Sequence, residues 1–298
     1  MTQIIVGVND SERAADAVAL AATLARTTGA ELLIAHAYPF ETTPSRVTLP
    51  GHERHARERA AKVLERHLDA ASGVPVRTVP LPGGSPARQL QGLAERAGAA
   101  AIVIGSSHRG DLGRVLAGTT AERLLHGAPC PVLVAPRGYS GGELKRILVG
   151  YDGGDESEGA LEVALAAHGD VHLVRVLEPT SVGVQASMAG AWIPPTDLET
   201  EGREAFEAKF SRLGDAVERE FVVGDAVAEL VRRTLDADLL IVGSRGYGPL
   251  RSVLLGSVSA QLVRRASCPV MVIPRGAAAD AAALLGGNTA TKPVSLTG

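Results

Sequence analysis

The sequence predicts two tandem doubly wound α/β domains, each a five-stranded parallel sheet with helices on both faces. Three observations carry that prediction. The segment "GSSHRGDLGRVLAGT" at 105–119 returns in altered form as "GSRGYGPLRSVLLGS" at 243–257, 138 residues later and again straight after an apolar run. Short β-branched runs alternate with Ala/Leu-rich stretches along both halves, the pattern of right-handed βαβ crossovers. The composition is 45% hydrophobic but only 3% aromatic, so the core must be built largely from Val, Leu, Ile and Ala, which suits buried parallel strands under helices. A chain of 298 residues is also of two-domain length.

The halves read in parallel. First strands are "QIIVGVNDS" and "RILVGYDGG", β-branched runs ending in small polar residues. Helices follow in "ERAADAVALAATLARTTG" and "ESEGALEVALAAHG", each closed by a glycine. Second strands lie in "AELLIAHAY" and "DVHLVRVLEP". The loops "PFETTPSRVTLPG" and "PTSVGVQASMAGAWIPPTD" then lead to charged helices through "RERAAKVLERHLDAA" and "EGREAFEAKFSRLG". Third strands, "VPVRTVPL" and "AVEREFVVG", precede helices in "SPARQLQGLAERAG" and "AVAELVRRTLDA". Fourth strands run into the glycine-rich turns. Helices in "TTAERLLHGA" and "SVSAQLVRRA" and fifth strands "CPVLVAP" and "CPVMVIP" complete each half. The expected divisions are a first domain over 1–137, a linker over 138–144, a second domain over 145–275 and an Ala/Gly/Thr-rich flexible tail over 276–298. Fifth strands at sheet edges would cover their exposed hydrogen-bonding groups by pairing with each other, giving an intrachain pseudo-dimer. A homodimer of the whole chain is compatible with that arrangement.

Composition excludes several function classes. The formal charge is −3 and no basic groove is interleaved with aromatics, so nucleic acid is not an expected partner. The start "MTQIIVGVNDS" lacks a basic n-region, and no window approaches a membrane span, so a cytoplasmic protein that does not engage membrane is expected. Cys130 and Cys268, each opening an apolar strand in an A-x-C-P-V frame, read as buried reduced thiols. His52 and His55 in "GHERH" lack H-E-x-x-H spacing and a third ligand, so no metal site is expected. Nor does a G-x-S-x-G nucleophile elbow occupy a suitable turn.

The glycine turns carry the candidate chemistry. In a doubly wound sheet, ligands sit beyond the carboxyl ends of the strands where the strand order reverses. With a flavodoxin-like or a 3-2-1-4-5 order, the turns after strands one and four flank that crevice. Glycines there bring backbone N–H groups close to an anion, and Ser257 or Thr119 would cap the next helix, whose positive end favours phosphate. Thr119 and Glu122 have capping-box spacing. The plainer reading, tight strand-to-helix turns, fits a single copy; two copies in matched positions favour an anion site. Neither turn is a phosphate-transfer loop, because Asp111 and Pro249 stand where such a loop needs lysine. The dinucleotide pattern G-x-G-x-x-G is also lacking, and it belongs after strand one.

The pattern G-x2-G-x9-G-[ST] followed by "CPV" resembles the nucleotide-binding signature of universal stress proteins, matched at every position by Gly243, Gly246, Gly256 and Ser257. The resemblance covers both halves. It implies an adenine-nucleotide alpha-hydrolase-like fold with strand order 3-2-1-4-5, and ATP, ADP or AMP bound as a ligand, with magnesium carried on the phosphates. Asp152 matches the family's strand-one Asp at the adenine, a place from which it could also cap the next helix, and Val176 a strand-two residue lining the adenine. Gly243, Ser244, Arg245, Gly246, Gly256, Ser257 and Val258 would line ribose and phosphates. The first half departs from the signature: Asn9 replaces the Asp, with Asp10 next, and His108 replaces the second glycine. Its candidate contacts are Asn9, Asp10, Ala37, Gly105, Ser106, His108, Gly118 and Thr119. The resemblance implies a regulatory or protective stress-response module without efficient catalysis. Two rivals remain open: a nucleotide-independent interaction scaffold, and an adenylating enzyme of the ATP pyrophosphatase kind, since "DGGDES" at 152–157 comes close to that group's S-G-G-x-D-S loop.

Overall fold

The computed structural model describes residues 2–39, 52–106, 120–167, 169–178, 195–244 and 256–286. The first half contains strands β1 Gln3–Gly7, β2 Glu31–Tyr38, β3 Val76–Pro82, β4 Ala101–Gly105 and β5 Val132–Ala135. The second contains β6 Arg146–Tyr151, β7 Asp170–Leu177, β8 Val217–Val223, β9 Leu239–Gly243 and β10 Val270–Ile273. Helices α1 Ala14–Thr28, α2 His52–Glu65, α3 Pro86–Ala97 and α4 Thr120–Leu125 belong to the first half, and α5 Asp155–Ala166, α6 Pro195–Phe210, α7 Ala226–Arg233 and α8 Ser257–Arg265 to the second. A further helix, α9, spans Ala278–Gly286. No helix among the described residues is long and apolar enough to cross a membrane.

Within each half the strands are parallel and run in the order 3-2-1-4-5, as expected. The halves do not form separate sheets. Val132, Leu133 and Val134 of β5 lie antiparallel to Val272, Met271 and Val270 of β10, giving one ten-stranded sheet in the order β3-β2-β1-β4-β5-β10-β9-β6-β7-β8. This join occupies two strand edges that would otherwise present unpaired N–H and C=O groups.

Alternation along the strands divides the interior into two cores, one on each face of the sheet, and each core runs through both halves. Ile4, Val6, Val103, Leu133, Met271 and Ile241 face α1 and α5, whereas Ile5, Ile102, Ile104, Val134, Val270 and Val242 face α3, α4, α7 and α8. Gly29 (φ 67°) and Gly98 (φ 57°) close α1 and α3 in the left-handed conformation, as glycine allows. The second half departs from the expected glycine closure of its first helix: Ala167, in extended conformation, caps α5. Gly169 passes so near the Lys145 carbonyl oxygen that a Cβ there would sit 2.3 Å from it.

Cys130 and Cys268 are free and buried. Burial pushes the Cys268 thiol up to about 12, so it stays protonated at neutral pH. The second half also departs from an aliphatic core. Phe206 and Phe210 of α6 meet Tyr151 and Phe221 of the sheet in tilted and edge-to-face contacts with centroid separations of 5.0–6.2 Å.

The tail requires a correction. Residues 278–286 are helical, and Ala281, Leu284 and Leu285 are buried in the core that holds α1 and α5. "ADAAALLG" is rich in helix formers and carries a spaced apolar set, and docking decides the outcome that small-residue composition alone did not suggest. Residues 287–298 lie outside the described residues. Leu284→Ala should cost about 2 to 4 kcal/mol, measured by chemical denaturation, and an unchanged midpoint would mean that α9 is not docked.

At the opposite end of the second half, Arg233 on α7 is buried and donates to Glu220 of β8 at 2.5 and 2.7 Å and to Glu229 at 2.7 Å. The guanidinium holds both carboxyls below their usual range. Their contribution is therefore complete above the ordinary carboxylate value of 4.5 and is lost as pH falls through the lowered folded values. Arg233→Met should cost about 1 to 3 kcal/mol near neutral pH, the carboxylates being partly exposed. The gap between variant and parent should narrow steadily in denaturation curves taken toward about pH 3; a pH-independent gap would rule out the ion pairs as its source.

Candidate functional site

The sheet registers bring the expected second-half residues together. The β6–β7 pairing matches Tyr151 with Arg175, and the β6–β9 pairing matches Gly150 with Val242. One step past the first pair and two past the second, Asp152, Val176 and Ser244 are level at the carboxyl ends of three adjacent strands, where the chain departs from the sheet in two directions. The same registers in the first half bring Asn9, Ala37 and Ser106 level.

Asp152 is exposed at this edge, and its Oδ1 accepts the Gly154 N–H at 2.9 Å. It is not the cap of α5. Gly154 holds that position, because the turn through Gly153 (φ 91°) needs two more residues before helical geometry begins. The Ser157 hydroxyl stabilises the turn, accepting from Gly153 N–H at 3.2 Å and donating to the Gly154 carbonyl at 2.8 Å. Val176 and Val258 are half-buried and pack on the core beneath α7 and α8.

Gly243 and Gly105 have a packing reason. A Cβ on Gly243 would lie 2.6 Å from the Glu156 backbone carbonyl carbon, and one on Gly105 would lie 2.6 Å from the Arg13 carbonyl oxygen. The helix after the first strand lies directly against the end of the fourth, and only glycine fits between them. On the other face, Ser244 is 1% exposed, and its Oγ has no hydrogen-bond partner among the described residues. Ser106 Oγ, at the matching place, is also buried and unpartnered there.

The helix start differs from expectation by one residue. Gly256 (φ −60°, ψ 148°) is the cap of α8, and Ser257 is its first helical residue with no side-chain capping bond. The tie comes instead from Ser259, whose buried hydroxyl donates to the Gly243 carbonyl at 3.0 Å and pins the opening turn of α8 to the end of β9. Sequence reasoning passed over Ser259; its only signal was a small polar residue on the inward side of the helix's first turn. The first-turn N–H groups of α8, which have no partner within the helix, and its positive end therefore lie beside Ser244. Arg275, just past β10, pairs with Glu156 at 2.8 Å and braces the same corner.

The first half is built differently. Asn9 Oδ1 accepts from the Ser11 N–H at 3.1 Å and from the Ser11 hydroxyl at 2.6 Å, and Asp10 pairs with Arg66. The first contact is local to the turn, whereas the second reaches across to the segment after α2. Ala121 stands in place of Ser259, so α4 lacks the equivalent tie. His108, Gly118 and Thr119, and Arg245 and Gly246 in the second half, lie outside the described residues, as does the expected Thr119–Glu122 capping box. Among the described residues, no group of three or more His, Cys, Asp or Glu side chains could hold a metal ion.

Gly243→Ala should destabilise the fold by about 1 to 3 kcal/mol, because the added methyl meets backbone rather than a movable side chain. Ser244→Ala, which removes a hydroxyl without an internal partner, should leave stability within about 0.5 kcal/mol. Denaturant titration of the two variants tests the contrast, and equal effects would contradict the packing described.

The universal stress protein family model matches residues 1–136 and again 143–274. A universal stress protein of Mycolicibacterium smegmatis is 31% identical over 289 residues, which is 91% of this chain and 96% of that protein. One from Mycobacterium tuberculosis is 29% identical over 288 residues, 90% of this chain and 95% of its own length. Among solved structures, a universal stress protein from Archaeoglobus fulgidus superposes with a TM-score of 0.67 at 22% identity, over 92% of this chain and 98% of that one, a likeness of fold. With both halves matched separately and relatives aligned nearly end to end, this chain belongs to the universal stress protein family as a tandem of two such domains.

Proposed function

We propose that the second half binds an adenine nucleotide, ATP foremost, at the carboxyl edge of β6, β7 and β9, and that the protein acts as a regulatory or protective stress-response module without efficient catalysis. The observation that carries this reading is the level placement of Asp152, Val176 and Ser244 beside the pinned start of α8. Val176 offers an apolar wall for a base, Asp152 an acceptor for an exocyclic amine or ribose hydroxyl, and Ser244 a buried hydroxyl in need of a partner. The first-turn amides of α8 suit phosphate oxygens, and magnesium would accompany the phosphates. Gly246 and Arg245 complete the family's turn in this reading.

Slow turnover follows from the same residues. Neither glycine turn contains the lysine that contacts the β- and γ-phosphates in phosphoryl transfer. The two halves act as an internal pseudo-dimer, with the second the tighter site. Asn9 is uncharged where Asp152 is a carboxylate, and the neighbouring Asp10 is paired with Arg66, which makes the first half the weaker of the two.

Calorimetry with ATP should show one dominant site per chain. Asp152→Ala should weaken it by roughly ten- to a hundredfold while circular dichroism stays unchanged. Unaltered affinity would remove Asp152 from the site. Incubation with ATP and magnesium should leave the nucleotide intact over many binding lifetimes; steady ADP release at about 1 per second or faster would overturn the non-enzymatic reading.

A further inference from the structure

Where β5 meets β10, the crevice edge of the first half abuts the C-terminal end of α8. Between them lies a cleft of about 500 Å³, walled by Val134 and Val270 and rimmed by Ser106, Arg137, Arg264 and Arg265. Two buried polar atoms of these residues, Ser106 Oγ and Arg264 Nε, have no hydrogen-bond partner among the described residues. Arg264 does pair through Nη2 with Glu122 of α4, across the seam. That carboxylate offsets one of three guanidinium charges, leaving the cleft with a net positive character.

Divergence between the halves accounts for the third charge. Arg275 is tied to Glu156 at 2.8 Å. Arg137 occupies the matching place in the first half, but the counterpart of Glu156 there is Arg13, which cannot neutralise it. Arg137 is thus released from the brace that holds Arg275, makes no ion pair among the described residues, and lines the cleft. On the other side of the pseudo-twofold, the counterparts of Arg264 and Arg265 are His126 and Gly127. The cationic cleft is peculiar to one side of the seam.

We propose that this cleft binds a phosphate group. Several acceptor oxygens around one centre match an Nε–H, a hydroxyl and two exposed guanidinium forks, and a doubly charged anion neutralises what water cannot. Two sources share that chemistry: free inorganic phosphate or pyrophosphate, and the phosphate tail of a nucleotide in the first half, since Ser106 belongs to both places. The second source rests on the nucleotide reading above; the first does not.

The test is calorimetric titration of the full chain with pyrophosphate, ATP and adenosine, comparing the parent with the Arg137→Ala/Arg265→Ala double variant. Both arginines are exposed, and circular dichroism should show that the double variant folds. Pyrophosphate affinity should fall about tenfold or more in the variant and weaken with added salt in the parent. If pyrophosphate does not bind but the weaker ATP site loses about tenfold in the variant while adenosine is unaffected, the phosphate belongs to a nucleotide, and the proposal stands in that form. Absence of ATP binding with intact, arginine-dependent pyrophosphate binding would reject the nucleotide reading and keep the cleft. Equal behaviour of parent and variant toward both pyrophosphate and ATP, or binding of neither, would mean that the cleft holds water only and would overturn the proposal.

Discussion

The antiparallel pairing of β5 with β10 is the constraint on which the rest of the structure depends. Each fifth strand is four residues long, too short to be a stable edge by itself, and each is apolar on both faces. Joining them satisfies backbone groups and aligns alternation across the seam, so that Leu133 meets Met271 on one face while Val134 meets Val270 on the other. Two domain cores become two continuous layers. Helix α9 then finds a surface shared by α1 and α5, which neither half offers alone. The seam cleft arises from the same geometry, since antiparallel pairing sets the carboxyl edge of one half against a helix end of the other.

Duplication has left a common frame with unequal chemistry. In both halves a glycine at the end of the fourth strand admits the helix that follows the first, and a buried serine comes next. Beyond that frame the halves diverge residue by residue. Ser259 pins α8 where Ala121 cannot pin α4, and Glu156 pairs with Arg275 where Arg13 cannot pair with Arg137. An aromatic cluster around Tyr151 packs in the second half. The halves thus share one architecture with different local contacts at the carboxyl ends of their strands.

The proposed binding role at the second-half crevice rests on the groups described there. Its donors are backbone amides at a helix start and a serine hydroxyl, groups that hold an anion without supplying or removing protons. Asp152 lies at the opposite side, level with Val176. On the nucleotide reading proposed above, shape and hydrogen bonding would select the ligand there.

The fold class was legible because it depends on local patterns: β-branched runs, helix-forming stretches and glycines repeated 138 residues apart. The 3-2-1-4-5 order came from the family resemblance, since those patterns also allow a flavodoxin-like order. The fate of the tail was not legible, because an Ala-rich segment is a helix only when docking covers Leu284 and Leu285. The N-cap of α8 was misplaced by one residue, since Gly256 and Ser257 both suit that role and packing of Ser259 against Gly243 decides between them. Asp152 resembled a helix cap until the turn through Gly153 moved the helix start to Gly154. The sequence by itself determined the five strands and four helices of each half, because β-branched runs and helix-forming stretches are local features. Only the tertiary structure decided which buried groups lack partners and which charges meet across the seam, because those depend on distances between residues far apart in the chain.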